Sequence, residues 1–103
     1  MSMLSKPQSL PMPSDAIAWE EFVALTGITP EHLEEIIALD WIESRTSAAN
    51  ARMFRDSDIY RVRKLERICG DFELPVVGGT IIVDLLDRID RLQRMVDQLN
   101  KLA

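Results

Sequence analysis

The sequence is poor in residues that carry chemistry. Cys69 and His32 are the only cysteine and the only histidine among 103 residues. A single cysteine excludes an internal disulfide, which suits a reducing compartment, and we expect the cytoplasm. One cysteine and one histidine cannot complete a zinc site. No nucleophile pattern accompanies His32, which we expect to face solvent, so we predict neither an enzyme nor a cofactor.

Basic residues are missing from every position between Lys6 and Arg45. Acidic residues occur eight times in that stretch. Up to Glu43 the chain has eight acids against one lysine, a net charge of −7, and the remainder has eleven bases against nine acids, a net charge of +2. Proteins bind duplex DNA largely by neutralising its phosphates, so DNA would repel the acidic stretch. The charge therefore predicts a basic partner.

The chain also has no long hydrophobic run, so we expect no membrane contact. We do not expect its start to be a signal peptide, because residues 1–14 have no apolar core and contain Pro7, Pro11 and Pro13. We expect residues 1–14 to be a disordered N-terminal tail. The remainder divides into a domain at 15–73 and a C-terminal helix at 74–103.

Two short helices with a tight turn between them are predicted first. Apolar residues have helical spacing over 19–25, and Gly27 suits a left-handed stop. Thr29 is a good N-cap, and Pro30 fits the first position of a second helix that should end near Leu39. Two helices joined by a short turn that contains glycine are typical of a helix-turn-helix.

A small hairpin and a third helix are predicted next. Trp41–Ile42 and 52–54 read as short strands around a polar loop at 44–50. Asp56 or Ser57 should cap the third helix, which ends in a break at 70–73. Its buried stripe is predicted to contain Ile59, Val62, Leu65, Ile68 and Cys69.

The last helix should run from Leu74-Pro75 to about Leu102. Gly78-Gly79 near its start indicates close helix packing or, alternatively, a hinge. The helix carries a heptad seam, which we predict to form a homodimer: Ile82, Leu85, Ile89, Leu92, Val96 and Leu99. β-Branched residues at one seam position and leucine at the other favour two strands. The alternative is packing within one subunit, since further apolar residues flank the seam.

The sequence resembles the winged helix-turn-helix of MerR-type regulators. The resemblance lies in Glu20-Glu21-Phe22, Leu25-Thr26-Gly27-Ile28-Thr29, Leu33, Arg52-Met53-Phe54 and the helix from Asp58 through Leu65. It implies a mainly α fold with a small β-hairpin wing and a long C-terminal helix that dimerises. In those regulators a Leu-Thr-Gly-Val-Ser turn precedes a basic recognition helix. Here Glu34 and Glu35 replace the bases, so we do not expect specific DNA binding; a MerR-type DNA-binding transcription regulator is the alternative.

A closer similarity is to the chaperone-modulatory branch, the small inhibitors of a DnaJ-like co-chaperone. The similar positions are Glu21-Phe22, Thr26-Gly27-Ile28, Glu31, Leu33, Glu35-Ile36, Leu39, Glu43, Arg45, Phe54, Asp56, Leu74, Pro75, Asp84, Ile89 and Leu92. The resemblance implies binding to the J domain of the co-chaperone, which blocks its access to Hsp70. J domains present a basic helix for Hsp70, so an acidic competitor is electrostatically reasonable.

Charge and placement select the candidate partner-binding residues. Four are acidic, namely Glu31, Glu34, Glu35 and Asp40. Trp41 and Phe54 are candidate apolar anchors, because aromatic residues are typical of interaction hot spots, although both may equally belong to the core. A basic cluster on the third helix, formed by Arg61, Arg63, Lys64 and Arg67, indicates a solvated face, a DNA contact or a surface for an acidic partner.

Overall fold

The computed structural model describes residues 15–102, and within them the chain forms four helices and one small sheet. The helices are α1 (Trp19–Thr26), α2 (Pro30–Ala38), α3 (Asp58–Phe72) and α4 (Val76–Leu102). The strands are β1 (Ala16–Ala18), β2 (Arg45–Thr46) and β3 (Arg52–Arg55), in the antiparallel order β1-β3-β2. The predicted mainly α fold with a small hairpin and a long last helix is confirmed. The predicted tail at 1–14 lies outside the described residues.

The turn between α1 and α2 forms as its sequence predicts. Gly27 has φ 76° in the left-handed region, and its N–H donates to the carbonyl of Val23 at 2.9 Å. The Thr29 side chain then accepts a hydrogen bond from the His32 N–H at 3.2 Å. Because a left-handed C-cap and a threonine N-cap satisfy the free ends of both helices, the turn is short and well defined.

The sheet differs from the prediction in two ways. The expected strand at Trp41–Ile42 is wrong: both residues are buried in a turn, and β2 begins only at Arg45. β1 was not predicted, yet it pairs with β3 so that Ile17 stands opposite Phe54. A three-residue edge strand is too short to show alternation, and its partner is distant in sequence, so no local pattern marks it.

One core joins the helices to the sheet. Its fully buried large side chains are Phe22, Ile28, Leu33, Ile36, Val62, Leu65 and Val83. Phe22 stacks on Phe54 with 4.6 Å between the ring centroids, which ties α1 to β3. The predicted stripe of α3 is confirmed in Val62, Leu65, Ile68 and Cys69, and Ile59 packs at the edge of the core. Burial raises the pKa of the Cys69 thiol.

The capping and ending of α3 also differ from the prediction. Ser57 takes the N-cap position, but its side chain makes no capping hydrogen bond. The helix continues through Gly70 to Phe72 and ends at Glu73, whose φ is 51°. The helix therefore passes through Gly70 despite the weak helix propensity of glycine.

Helix α4 has two parts. Its first part packs on α3 through Val76, Gly79, Thr80 and Val83. Residues 88–102, called the arm below, are all exposed, and the molecule extends to 59 Å along its longest axis. The N-terminal segment of α4 is therefore a core element, and the arm lies outside the core. No helix of the described residues has the length and apolar character to cross a membrane.

Gly79 allows α3 and α4 to approach closely. A methyl group built at Gly79 would overlap Cys69 Sγ and would lie 2.8 Å from Leu65 Cδ1. The adjacent Gly78 has room, since its nearest neighbour would be Pro75 Cγ at 4.0 Å. Of the two alternatives predicted for Gly78-Gly79, close helix packing or a hinge, Gly79 shows close helix packing.

We predict opposite effects for the two glycines. Gly79→Ala should lower the free energy of unfolding by about 1–3 kcal/mol, because it overpacks the helix contact. Gly78→Ala, the matched control, should raise it by about 0.5–1 kcal/mol, because alanine favours the helix. Urea denaturation followed by circular dichroism measures both. Equal effects of the two substitutions would contradict the close contact at Gly79.

Candidate functional site

The outward face of α2 is acidic. Leu33 and Ile36 are buried, and helical geometry places Glu31, Glu34 and Glu35 on the opposite, exposed side. The helix contains no lysine or arginine. Asp40 is exposed just after the helix. Together these four carboxylates are called the acidic surface below.

Asp40 holds an unusual backbone conformation. Its φ is 58°, in the left-handed region that few residues other than glycine adopt. Its N–H donates to the carbonyl of Ile37 at 3.0 Å, and the next N–H, of Trp41, donates to the carbonyl of Ile36 at 2.9 Å. These bonds close the C-terminus of α2 and turn the chain inward. Asp40 therefore presents its carboxylate at a strained position that glycine would fill more easily.

Arg52 on β3 neutralises part of the acidic surface. Its guanidinium donates to both carboxylate oxygens of Glu34, at 2.8 and 3.3 Å. The hydrogen bond from Arg52 lowers the pKa of Glu34. The guanidinium also lies over the Trp19 ring, 4.6 Å from its centroid. Glu34 is thus half of an ion pair, whereas no ion pair engages Glu31, Glu35 or Asp40 within residues 15–102.

Three other basic residues near the helix-turn-helix are also paired. Arg55 of β3 donates to Glu43 at 2.7 Å, and its hydrogen bond lowers the pKa of that carboxyl. On α3, two bases of the predicted cluster bind α4: Arg61 donates to Asp84 at 3.0 Å and Lys64 to Asp87 at 3.3 Å.

The other two residues of the basic cluster, Arg63 and Arg67, are exposed on α3. Neither forms an ion pair in the described part of the chain. The sequence-predicted cluster is therefore divided between a contact to α4 and a small solvated face.

His32 does not simply face solvent, as the sequence suggested. Its side chain is 39% exposed, and Nδ1 lies 3.2 Å from Glu66 Oε2 on α3. The contact joins α2 to α3. No local pattern predicts it, since 34 positions separate the two residues.

The two proposed aromatic anchors are core residues. Phe54 is 2% exposed, and it contacts Phe22 and Trp19. Trp41 is 9% exposed, and its ring is covered by the Arg61 guanidinium at 3.9 Å. A partner cannot reach either ring without rearranging the fold. Both residues therefore take their alternative role, in the core, and not the expected role of partner anchors.

The predicted heptad seam is largely accessible. Ile82 is half-buried and packs against the core of its own subunit. The other five positions are called the apolar stripe below, and their exposed fractions are Leu85 54%, Ile89 50%, Leu92 52%, Val96 53% and Leu99 64%. The flanking residues Leu86, Met95 and Leu102 are also exposed. The stripe thus extends along α4 with no cover from the described residues of the same subunit.

Among the described residues, no group of three or more His, Cys, Asp or Glu side chains is placed so that it could hold a metal ion. The geometry instead presents two separate surfaces, the acidic surface on α2 and the apolar stripe on α4.

Comparison with known families agrees with the helix-turn-helix geometry. A family described as MerR HTH family regulatory protein matches residues 17–101, which is most of the chain. The chain belongs to the MerR helix-turn-helix family. No curated protein matches it. The helix after the turn, α2, contains no lysine or arginine.

Proposed function

We propose that this MerR-family protein binds the J domain of a DnaJ-like co-chaperone and inhibits its action on Hsp70. The observation that supports this most is the exposed face of α2, which carries three glutamates and no lysine or arginine. A basic helix is the complement of such a face. The sequence resemblance to the chaperone-modulatory branch adds independent support for the identity of the partner.

The pairing of nearby bases strengthens the electrostatic argument. Arg52 and Arg55 of β3 form ion pairs with Glu34 and Glu43. Each guanidinium already offsets the charge of one carboxylate, and neither pairs with Glu31, Glu35 or Asp40. Long-range attraction between opposite charges speeds association, and salt screens it. Glu31, Glu35 and Asp40 are the carboxylates best placed to steer a basic partner.

The proposal includes a homodimer through the apolar stripe. Soluble monomers rarely leave a long contiguous apolar surface uncovered. The stripe has the alternating spacing of three and four residues that a second helix of the same kind would match. Pairing two arms would bury the stripe and would leave α2 accessible on each subunit, because α2 lies outside the arm.

A second candidate function is DNA binding by a MerR-type regulator in the cytoplasm. Membership of the family and the exposed Arg63 and Arg67 favour it. Two guanidiniums supply few phosphate contacts compared with the set that a specific complex uses. The acidic surface would also face the phosphates if α2 entered the major groove, so we rank this function second.

Charge reversal tests the proposed J-domain contact. The variant Glu31→Lys with Glu35→Lys should lower the association rate about tenfold or more at 0.05 M salt and much less at 0.5 M, since the Debye length shrinks from about 14 to about 4 Å. Dissociation should change little, because exposed charges act mainly on encounter. Surface-based kinetics with a J domain measures both rates.

Two controls distinguish charge from folding. Glu20→Lys with Glu21→Lys makes the same charge change on α1, where both residues are exposed, and should slow association less. Asp40→Gly removes a carboxylate but relieves the left-handed strain, so it should raise the melting temperature while it slows association. If the α1 variant slows association as much as the α2 variant, net charge rather than the acidic surface steers binding.

The dimer has its own prediction. The wild-type protein should sediment as a dimer at tens of micromolar. Ile89→Asp with Leu92→Asp should give a monomer, because each buried position would hold an unpaired charge. Gln98→Asp adds a carboxylate to the same arm on the side away from the stripe, and the dimer should persist. A wild-type monomer under these conditions would contradict pairing through the stripe.

The DNA alternative predicts a different result. We expect no sequence-specific duplex binding at about 0.15 M salt, where specific complexes usually have Kd values of about 10⁻⁸ to 10⁻¹¹ M. A gel-shift against a pool of promoter fragments measures this. Nanomolar binding to one fragment, lost in Arg63→Ala with Arg67→Ala, would favour the regulator instead.

A further inference from the structure

Asp84 joins three elements of the fold through one oxygen. Its Oδ1 accepts a hydrogen bond from Trp41 Nε1 at 3.0 Å and another from Arg61 Nη2 at 3.0 Å. Arg61 closes the triangle, because its Nη1 donates to the carbonyl oxygen of Trp41 at 2.6 Å. The three residues belong to the turn after α2, to α3 and to α4. Neither the family match nor the proposed partner assigns a role to this cluster.

The cluster lies close to the point where α4 leaves the core. Val83 is the last fully buried residue of the helix, and every residue from 88 to 102 is exposed. At 1.5 Å per residue the arm is a lever of about 22 Å, so a tilt of about 10° at its base moves the tip by about 4 Å. Small changes near Asp84 therefore have large effects on where the apolar stripe points.

We propose that Asp84 is a positioning residue that sets the direction of the arm relative to the acidic surface. The Lys64–Asp87 pair joins α4 to α3 alone, so it does not tie α4 to the turn after α2. Asp84 binds α3 and the turn after α2 at once, and two bonds in different directions restrict both tilt and rotation. The Trp41 ring is packed in the core, so its N–H provides a fixed reference point.

The arrangement matters because it relates two surfaces on one chain. Trp41 directly follows Asp40, the last carboxylate of the acidic surface, and Asp84 directly precedes Leu85, the first residue of the apolar stripe. The cluster thus links the residue next to one surface with the residue next to the other. This inference concerns geometry within one subunit and does not depend on which partner binds α2.

A distance measurement by electron paramagnetic resonance tests it. Spin labels at Ala38→Cys on α2 and Gln98→Cys on the arm, in a Cys69→Ala background, report the direction of the arm. Labelled protein mixed with an excess of unlabelled protein leaves a single labelled subunit in any dimer. The parent should give one narrow distance distribution. Asp84→Ala should broaden or shift it by about 3 Å or more, because position 98 lies about 15 Å along the arm from residue 88 and a tilt of about 10° displaces it by that amount.

Three further variants make the result specific. Asp84→Asn keeps an oxygen acceptor and should retain the narrow distribution, while Trp41→Phe removes the N–H and should broaden it. Asp87→Ala removes the other ion pair between α3 and α4 and should leave it narrow. An unchanged distribution in Asp84→Ala, or equal broadening in Asp84→Ala and Asp87→Ala, would overturn the assignment. Circular dichroism shows whether each variant is folded. If Asp84→Ala is not folded, Trp41→Phe serves as the test.

Discussion

The charge that this protein presents near its helix-turn-helix depends on ion pairs within the chain. Arg52, Arg55, Arg61 and Lys64 each bind a carboxylate of the same chain. A MerR-like scaffold with these bases free would carry positive charge beside its helix-turn-helix. With them paired, the field near α2 is set by carboxylates that have no partner in the described residues. The exposed pairs of Arg52 and Arg55 contribute little to stability, so their main consequence is for what the surface attracts.

The last helix extends this arrangement beyond the domain. Close contact at Gly79 brings α4 against α3, and the cluster around Asp84 then joins α4 to the turn that ends α2. The same helix contributes core residues at its start and an exposed apolar stripe along the arm. In our proposal, partner binding and dimerisation therefore use surfaces whose relative orientation is fixed by the close contact at Gly79 and by the cluster around Asp84.

Local chemistry in the sequence predicted much of the fold and less of the site. Gly27 and Thr29 predicted the turn, because a positive φ and an N-cap position each restrict the choice of residue. The heptad spacing predicted an apolar face on α4. β1, the Arg52–Glu34 pair and the Asp84 cluster were not predictable, because each joins residues far apart in sequence. Trp41 and Phe54 looked like anchors since aromatic residues serve cores and interfaces equally, and only burial distinguishes the two roles.

The most direct test of the central claim is amide mapping by nuclear magnetic resonance. Isotope-labelled protein is titrated with an unlabelled J domain, and the shifts of the backbone amides identify the contact. Binding through the acidic surface predicts the largest shifts over residues 31–40 and weak shifts at Arg63 and Arg67. Shifts confined to the exposed face of α3, or no shifts at millimolar J domain, would contradict the account.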